Sequence, residues 1–409
     1  MCKKKSAGIV SQHYLALGTL SSIIQCSSQR YEIFFDMKDD LFYTLALTFV
    51  PGLGLKRQHE VLKHFESAKD FFEAAMRQRQ LIPGSDNALT QAQRRAEAEL
   101  ETATRHGWYV CLFGSPDYPP LLRDCPDAPL LLFVRSQQPP SSPDHALKRP
   151  ALGIVGTRNA SLYGLSQTDR LLSELQADPI CTVSGLALGI DTQVHRSSLD
   201  YGLPTVAVVG HGLEQIYPTA NERLAQEIID QGGAVITEMP SGTQIIGGLF
   251  PRRNRIIAGL SQAVVVAEAS IKGGALITAR IAHSYNRNLF AFPGRNDMPY
   301  SKGCNFLIKT QMAQLLETAG DLRAETAWTW GEPAKPKAAK PTPKTSAPPA
   351  HLNDLQRALL KIIQRENPAD IELLAAETGR PLPDLLNDLL ALELAGCIRT
   401  VPGNRYEAV

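Results

Sequence analysis

Short apolar runs alternate with longer stretches of helical spacing throughout the middle of the chain, between residues 151 and 292. The runs read ALGIV, ICTVS, PTVAVV, GAVIT, AVVVAE and NLFAF. Runs that are apolar at successive positions, rather than at every second position, predict strands buried on both faces. Strands that alternate with helices predict a parallel sheet covered by helices. The expected fold class is therefore α/β, with a Rossmann-like, doubly wound, mostly parallel sheet.

The sequence before this region predicts an extension of the sheet and a helical unit ahead of it. Residues 108–135 hold two apolar segments around a proline-rich connector, which predicts an edge extension of the sheet. Apolar residues recur at helical spacing over 39–49 and 55–65, on either side of a Pro-Gly-Leu-Gly break. This predicts a helix-hairpin-helix (SAM-like) unit whose hairpin amides face a DNA phosphate, or a plain turn between two helices. Further helices are predicted over 68–79 and 89–106.

The sequence after this region predicts a linker and a small third unit. A helix is expected over 305–319, before a run rich in Pro, Ala and Lys. Three amphipathic helices and two short strands around a Pro-Gly-Asn turn then predict a winged helix. Its third helix carries Asp384, Asp388 and Glu393, which favours a protein contact or a structural cap over a duplex reader. The expected divisions are an extension at 1–36, a helical domain at 37–107, an extended Rossmann-like domain at 108–330, a linker at 331–350 and a winged-helix domain at 351–409.

Composition narrows the class of protein without assigning a function. The 409 residues are 44% hydrophobic and 20% charged, which is typical of globular chains with more than one domain. A net charge of +1 means that binding to nucleic acid would depend on a local basic patch. The seven cysteines lack the spacing of a zinc site, so we expect reduced thiols, no metal and a cytoplasmic protein. The sequence has no apolar run near the ~20 residues that a membrane span needs.

The first 36 residues resemble a weak secretory signal, because three lysines precede the stretch LALGTLSSII. That stretch is interrupted by polar residues, and no small-residue cleavage pattern follows it. A better organised sequence opens at Met37. We therefore expect residues 1–36 to be a disordered extension.

Basic residues cluster where a parallel sheet would bring them to one edge. They are Arg158 after the first strand, Arg252, Arg253 and Arg255 near a predicted helix start, and Lys272 in a glycine-rich turn after the fifth strand. Ligands of such sheets bind beyond the carboxyl ends of the strands. Cations near a helix N-terminus cost a few tenths to ~1 kcal/mol each, a penalty that a bound anion would reverse. The pattern predicts a phosphate-binding rim; the alternative for single arginines is a structural pair with Glu238 or Glu268.

Other chemistries find less support. The segments GIVGTRNASLYG and GHGLEQ lack the G-x-G-x-x-G spacing of a dinucleotide site, so no NAD or FAD cofactor is expected. Asp191 and His195 lie four residues apart on a predicted helix, with no nucleophile elbow or metal-ligand motif beside them. An acid in the first helical turn and an ordinary helical histidine explain this pair. We therefore expect a protein that is not an enzyme.

At this point the sequence resembles the DNA-processing protein family DprA, also called Smf. The motifs that carry the resemblance are GIVGTR, SGLALGIDTQVHR, GHGLEQIYPTAN, FPRRNRIIAGLS, the run from EAS through IKGGALITA, and FPG followed by SKGCNFLI. They cover residues 150–310 in order. A helical head and a winged-helix tail agree with the family's three-part layout.

The resemblance implies a protein that binds single-stranded DNA, forms a homodimer and helps to place the recombinase RecA on incoming DNA during natural transformation. The residues implied for DNA contact are Arg158, Arg252, Arg253, Asn254, Arg255, Lys272, Gly273, Gly274 and Thr278. A dimer surface is expected on the helix with Leu307, Ile308, Met312 and Leu315. The resemblance gives no catalytic role to Asp191 or His195.

Two other functions remain as alternatives. The first is a nucleotide-handling enzyme similar to the LOG phosphoribohydrolases, which carry a PGG-x-GT motif and a following catalytic acid. Here the equivalent place reads IKGGALIT, with a lysine instead of the proline and no following acid. The second is a scaffold whose winged helix binds a partner and whose sheet edge is only structural.

Overall fold

A computed structural model describes residues 38–77, 85–326, 353–366, 369–395, 397–401 and 405–408. They form two compact units, one before and one after residue 335, and each is described by itself. The predicted extension at 1–36 and linker at 331–350 lie outside the described residues. The predicted domain boundaries therefore stay predictions.

A nine-stranded sheet forms the centre of the first unit, in the order β1-β2-β6-β5-β4-β3-β7-β8-β9. The strands are β1 (Tyr109–Leu112), β2 (Leu131–Ser136), β3 (Ala151–Val155), β4 (Cys181–Ser184), β5 (Thr205–Val208), β6 (Ala234–Thr237), β7 (Ala263–Val266), β8 (Asn288–Ala291) and β9 (Gln314–Leu315). Strands β3 to β9 pair in parallel, whereas β1 and β2 are antiparallel and extend the edge at β6. The six apolar runs and the edge extension are therefore confirmed as strands.

Helices cover both faces of the sheet. They are α1 (residues 38–48), α2 (Leu55–His64), α3 (Ala68–Arg77), α4 (Ser85–His106), α5 (Pro120–Arg123), α6 (Leu162–Glu174), α7 (Ile190–Asp200), α8 (Glu222–Asp230), α9 (Leu249–Leu260), α10 (Gly274–Ser284), α11 (Lys302–Lys309) and α12 (Ala319–Thr326). On β5, Val206 and Val208 pack into a core with α9 and α10, whereas Ala207 faces the opposite core with α8. Burial on both faces explains why the strand sequences are apolar at every position. The Rossmann-like, doubly wound class is confirmed.

Helices α1 to α4, here called the helical head, pack directly on the edge of the sheet. Phe72 and Leu89 of the head share one core with Leu131, Phe133 and Val235 of the sheet. The α1–α2 connection turns at a glycine with positive φ. The hairpin thus has the predicted shape, and the contact of its amides with a phosphate stays a prediction.

The helix predicted over 305–319 is wrong. Helix α11 ends at Lys309, and Gln311 adopts a left-handed φ of 58°. The amides of Met312 and Ala313 then both donate to the Leu307 carbonyl, 3.0 and 3.1 Å away, which closes the helix before β9 begins. Apolar spacing continues through this turn although the helix does not.

The four residues predicted for a dimer surface consequently do not share a helix. Leu307 and Ile308 lie on α11, Met312 lies in the turn, and Leu315 lies on β9 with 45% of its surface exposed. Leu307 is buried in the core of the monomer, and Ile308 and Met312 pack against it. The dimer itself stays a prediction.

The second unit has the predicted winged-helix arrangement. Its elements are α13 (Asp354–Arg365), β10 (Ala369–Asp370), α14 (Ile371–Thr378), α15 (Leu382–Leu394), β11 (Ile398–Val401) and β12 (Arg405–Ala408). The strands form a small sheet in the order β10-β12-β11. Leu359, Leu374 and Leu389, one from each helix, meet in its core.

Candidate nucleic-acid interface

A cavity of about 790 Å³ opens beyond the carboxyl ends of β3 and β7. Strand β3 pairs with β4 on one side and with β7 on the other, so the order of the sheet reverses here. Parallel sheets bind their ligands at such a reversal point. The lining residues include Gly156, Thr157, Arg158, Asp191, Tyr217, Ile245, Gly247, Phe250, Pro251, Arg253, Asn254, Ser270, Gly273, Gly274 and Thr278.

The N-terminus of α10 forms one wall of this cavity. Gly273 is the N-cap residue, no side chain caps the helix, and its first turn carries no acid. A Cβ built on Gly274 would meet no atom within 4 Å, so the backbone there borders open space. Buried Thr278 and exposed Lys272 stand on either side of this terminus. Backbone amides and the helix dipole together favour an anion at this position.

Arg158 and two aromatic rings form the rim of the cavity. The exposed Arg158 guanidinium lies 5.2 Å from the centroid of the Phe250 ring. The Tyr217 ring follows at 5.8 Å from that of Phe250, and Tyr217 is exposed. Arginine planes and aromatic faces of this kind stack on unpaired bases. Sequence reasoning missed both rings; the available signal was Phe250, the first residue of the FPRRNR motif.

Arg253 reaches under the floor of the cavity. It is 4% exposed, and its Nη1 donates to the Val208 carbonyl over 2.6 Å. A Cβ on Gly185 would lie 1.8 Å from that Nη1, so the close approach requires glycine. Burial lowers the pKa of Arg253 to about 10, against the opposing charge of Asp191. Arg253 therefore remains charged at neutral pH and supplies a positive potential from below.

Asp191 and His195 are buried beside Arg253 and have structural partners. Burial raises the pKa of the Asp191 carboxyl, while Arg253 and the Ala187 amide oppose the shift. Burial, followed by the charge of Arg253, lowers the pKa of His195 to about 3. The imidazole Nδ1 lies 2.7 Å from the hydroxyl of Thr205. This neutral histidine is not among the residues that line the cavity, which agrees with its interpretation as structural, whereas Asp191 does line the cavity.

Arg255 and Arg252 both pair with Glu238, and they differ in exposure. The Arg255 side chain is 8% exposed and donates to the Glu238 carboxylate and to the Asp127 carbonyl. The Arg252 Nε lies 3.4 Å from Glu238, but this side chain is 53% exposed. Arg252 lines a separate cleft of about 430 Å³, between α9 and the hairpin of the helical head. Both arginines thus make the pair with Glu238 that was considered for them, and the DNA contact of Arg252 stays a prediction.

Glu268, the other acid considered as a partner, is used differently. It is buried, and it accepts hydrogen bonds from the Ser161 amide over 2.8 Å and from the Ser161 hydroxyl over 2.5 Å. This contact ties the loop after β7 to the start of α6. It therefore fixes one side of the cavity.

The structure brings most of the predicted residues to one place. Arg158, Arg253, Asn254, Gly273, Gly274 and Thr278 line the same cavity, and Lys272 lies in the loop beside it. Arg252 faces the neighbouring cleft, and Arg255 is enclosed. Within the described ranges, His, Cys, Asp and Glu side chains form no group suited to a metal ion. Among the helices of the described residues, none is long and apolar enough to cross a membrane.

Comparison with known proteins assigns the chain to a family. A model of the family DNA recombination-mediator protein A matches residues 109–327, and one for the DprA winged helix domain matches residues 342–404. Protein Smf of Synechocystis sp. is 32% identical over 396 residues, 89% of this chain and 98% of that protein. Protein Smf of Escherichia coli is 37% identical over 70% of this chain and 74% of that protein. The X-ray structure of DNA processing protein A from Streptococcus pneumoniae covers 68% of this chain and 95% of that chain, with 32% identity and a TM-score of 0.58.

The first family model spans more than half of the chain, and the Synechocystis relative is matched over nearly its whole length. The order of motifs, the parallel sheet and the winged helix agree with these matches. The chain belongs to the DprA/Smf family of DNA-processing proteins.

Proposed function

We propose that the chain binds single-stranded DNA along the carboxyl edge of its parallel sheet, without catalysing a reaction. The observation that carries this proposal is the cavity at the reversal point of the sheet. There the uncapped N-terminus of α10 faces the same space as Arg158 and Arg253. An anion is the ligand that both features stabilise.

The distribution of charge favours a polymer over a free nucleotide. Arg158 follows β3, Lys272 follows β7 and Arg252 lies on α9, so the exposed cations belong to three separate elements. A single phosphate would need them in one cluster, whereas the phosphates of a strand are spaced along it. Phe250, with Arg158 over its ring, offers a stacking surface for unpaired bases. The paired bases of a duplex stack on each other and cannot reach it.

A nucleotide-handling enzyme is supported less well by the same cavity. Asp191 lines it, but its carboxylate accepts from the Ala187 amide and lies in the positive potential of Arg253. Glu268, the acid near the glycine-rich turn, is occupied by both donors of Ser161. Incubation with nucleoside monophosphates tests this alternative, because released base would favour the enzyme and overturn the non-enzymatic proposal.

Family membership extends the proposal to a biological role. We infer a cytoplasmic homodimer that protects incoming strands and helps to load RecA on them during natural transformation. The exposed Leu315 and the partly buried Ile308 and Met312 remain the proposed dimer surface. Filter binding of strands with and without RecA tests the loading step: a RecA–DNA complex that forms no faster in the presence of the protein would contradict it.

Replacement of the exposed cations tests the interface directly. Arg158→Ala and Lys272→Ala should each weaken binding to short poly-dT, measured by filter binding over a salt series. The slope of log affinity against log salt should fall by about 0.7 for each phosphate contact that is lost. Arg223→Ala is the matched control, because Arg223 is 92% exposed on α8 and lines neither cavity. Unchanged affinity in both variants would refute the assignment.

A further inference from the structure

The loop between β6 and α9 (residues 238–248, here the β6–α9 loop) forms one wall of the proposed strand-binding cavity. Ile245 and Gly247 line the cavity, and α9 begins directly after the loop with Phe250 and Asn254 on the same lining. The conformation of this loop therefore sets where the stacking ring and the first turn of α9 lie. Its sequence, EMPSGTQIIGG, has too few apolar residues to hold one conformation by burial alone.

Two carboxylates from outside the loop hold its backbone. Glu99 accepts hydrogen bonds from the Ser241 amide at 2.8 Å and from the Ser241 hydroxyl at 2.5 Å. Glu214 accepts from the Gly242 amide at 2.8 Å, where the chain turns with a φ of +72°. Within the loop, the Thr243 hydroxyl donates to the Pro240 carbonyl. Hydrogen bonds to a carboxylate are about twice as strong as neutral ones, so these two acids hold the turn at Ser241 and Gly242 more strongly than the Thr243 contact does.

Glu99 differs from Glu214 because it comes from the helical head. It lies on α4, 142 residues before Ser241, and is only 4% exposed. A buried carboxylate must be hydrogen-bonded or paired to be tolerated. Glu99 accepts both of these hydrogen bonds from Ser241, so the compensation for its burial depends on this one residue of the loop.

We propose that Glu99 is a positioning residue, through which the helical head holds the β6–α9 loop in the conformation that binds single strands. The inference rests on the proposed function and adds a role for the head. Glu99 touches no ligand in this arrangement; it acts through Ser241 on the wall that carries Ile245 and Phe250. Removal of the contact should lower affinity for the strand while leaving every phosphate contact in place.

The test uses the full chain and poly-dT, with Glu99→Gln, Glu99→Ala, Ser241→Ala and the double variant Glu99→Ala/Ser241→Ala. Glu99→Ala should lower affinity about five-fold, at the lower end of coupling between sites. Ser241→Ala should cost less, because its amide still donates to Glu99. The double variant should bind no more weakly than Glu99→Ala, since both changes act through the same contact. Glu99→Gln keeps one acceptor and the side-chain volume, so its affinity should be intermediate. It also keeps the test decisive in case Glu99→Ala fails to fold.

Two readouts separate positioning from a general loss of structure. The salt slope should equal that of the wild type, because no phosphate contact is removed. Amide hydrogen exchange should rise in residues 241–248 and stay unchanged in the strands of the sheet. Glu97→Gln is the matched control, since Glu97 lies exposed on the same helix and loses the same charge.

Wild-type affinity in both Glu99 variants, or additive losses in the double variant, would overturn the inference while the proposed function stands. A smaller salt slope would also overturn it, because Glu99 would then influence a phosphate contact. Absence of strand binding by the wild type would overturn the function as well, and is distinguished from the other outcomes because Arg158→Ala would then have no effect either.

Discussion

Replacement of Arg255 by alanine should lower the stability of the protein without lowering its affinity for single-stranded DNA. Arg255 and Glu238 are both less than a tenth exposed, and the guanidinium joins Glu238 to the Asp127 carbonyl. Without Arg255, Glu238 would remain buried with one longer contact to Arg252. Removal of one partner of a buried ion pair costs about 3–5 kcal/mol. For a domain of this size that corresponds to a fall in Tm of roughly 6–20 °C.

Arg252→Ala provides the comparison for this prediction. The Arg252 side chain is half exposed and lies 3.4 Å from Glu238, and ion pairs with a solvent-exposed partner contribute about 0–1 kcal/mol. The Tm should therefore change little, whereas affinity for poly-dT should fall if Arg252 meets a phosphate in the neighbouring cleft. Thermal unfolding followed by circular dichroism gives the stabilities, and filter binding well below the Tm gives the affinities. An Arg255→Ala variant with unchanged Tm and reduced affinity would show that Arg255 faces the strand, and would refute the reasoning.

Three further predictions concern the glycines at the cavity and the buried histidines. Gly274→Asp should fold normally, because a Cβ at this position meets open space. Its binding free energy for poly-dT should be about 1–2 kcal/mol less favourable, since the new carboxylate would occupy the anion position at the helix N-terminus. An equal loss in Gly274→Ala would contradict this. Gly185→Ala should displace the Arg253 guanidinium and cost about 1–3 kcal/mol in urea-induced unfolding; a variant as stable as the wild type would contradict the close packing. Burial lowers the pKa of His195 to about 3 and that of His145 to about 4, from an ordinary 6.5. The unfolded chain therefore takes up protons first, and stability should fall as the pH drops from about 6.5 towards 4, by about 1.4 kcal/mol per pH unit for each histidine; His195→Asn should reduce that slope by one proton.

Strands β3 to β8 could be predicted within about two residues because burial on both faces leaves a local signature. A run such as AVVV needs no distant partner to be recognised. The end of α11 could not be predicted in the same way. Apolar spacing runs on past Gln311, and nothing in that spacing reports the left-handed backbone that stops the helix.

The part of the candidate site that lies at the carboxyl ends of the parallel strands could be predicted from the sequence. Arg158 follows β3 and the turn at Gly273 follows β7, and these two strands are neighbours where the strand order reverses. The sequence therefore predicted that the two segments lie close together. Arg252 and Arg255 are the same residue type, three positions apart, and only the packing of α9 separates an exposed side chain from a buried one. The contact between Glu99 and Ser241 leaves no sequence signal, because it depends on where the head docks.

The core shared by the helical head and the sheet restricts how this protein can be divided. Phe133 and Val235 belong to the sheet, yet the core that buries them also contains Phe72 and Leu89 of the head. A shortened chain that begins at Trp108 would expose these side chains to water, and large apolar patches promote aggregation. A DNA-binding assay on a protein without the head would therefore measure the effect of lost solubility rather than a contact of the head with DNA. Single substitutions at the contact surface are the informative way to learn what the head contributes.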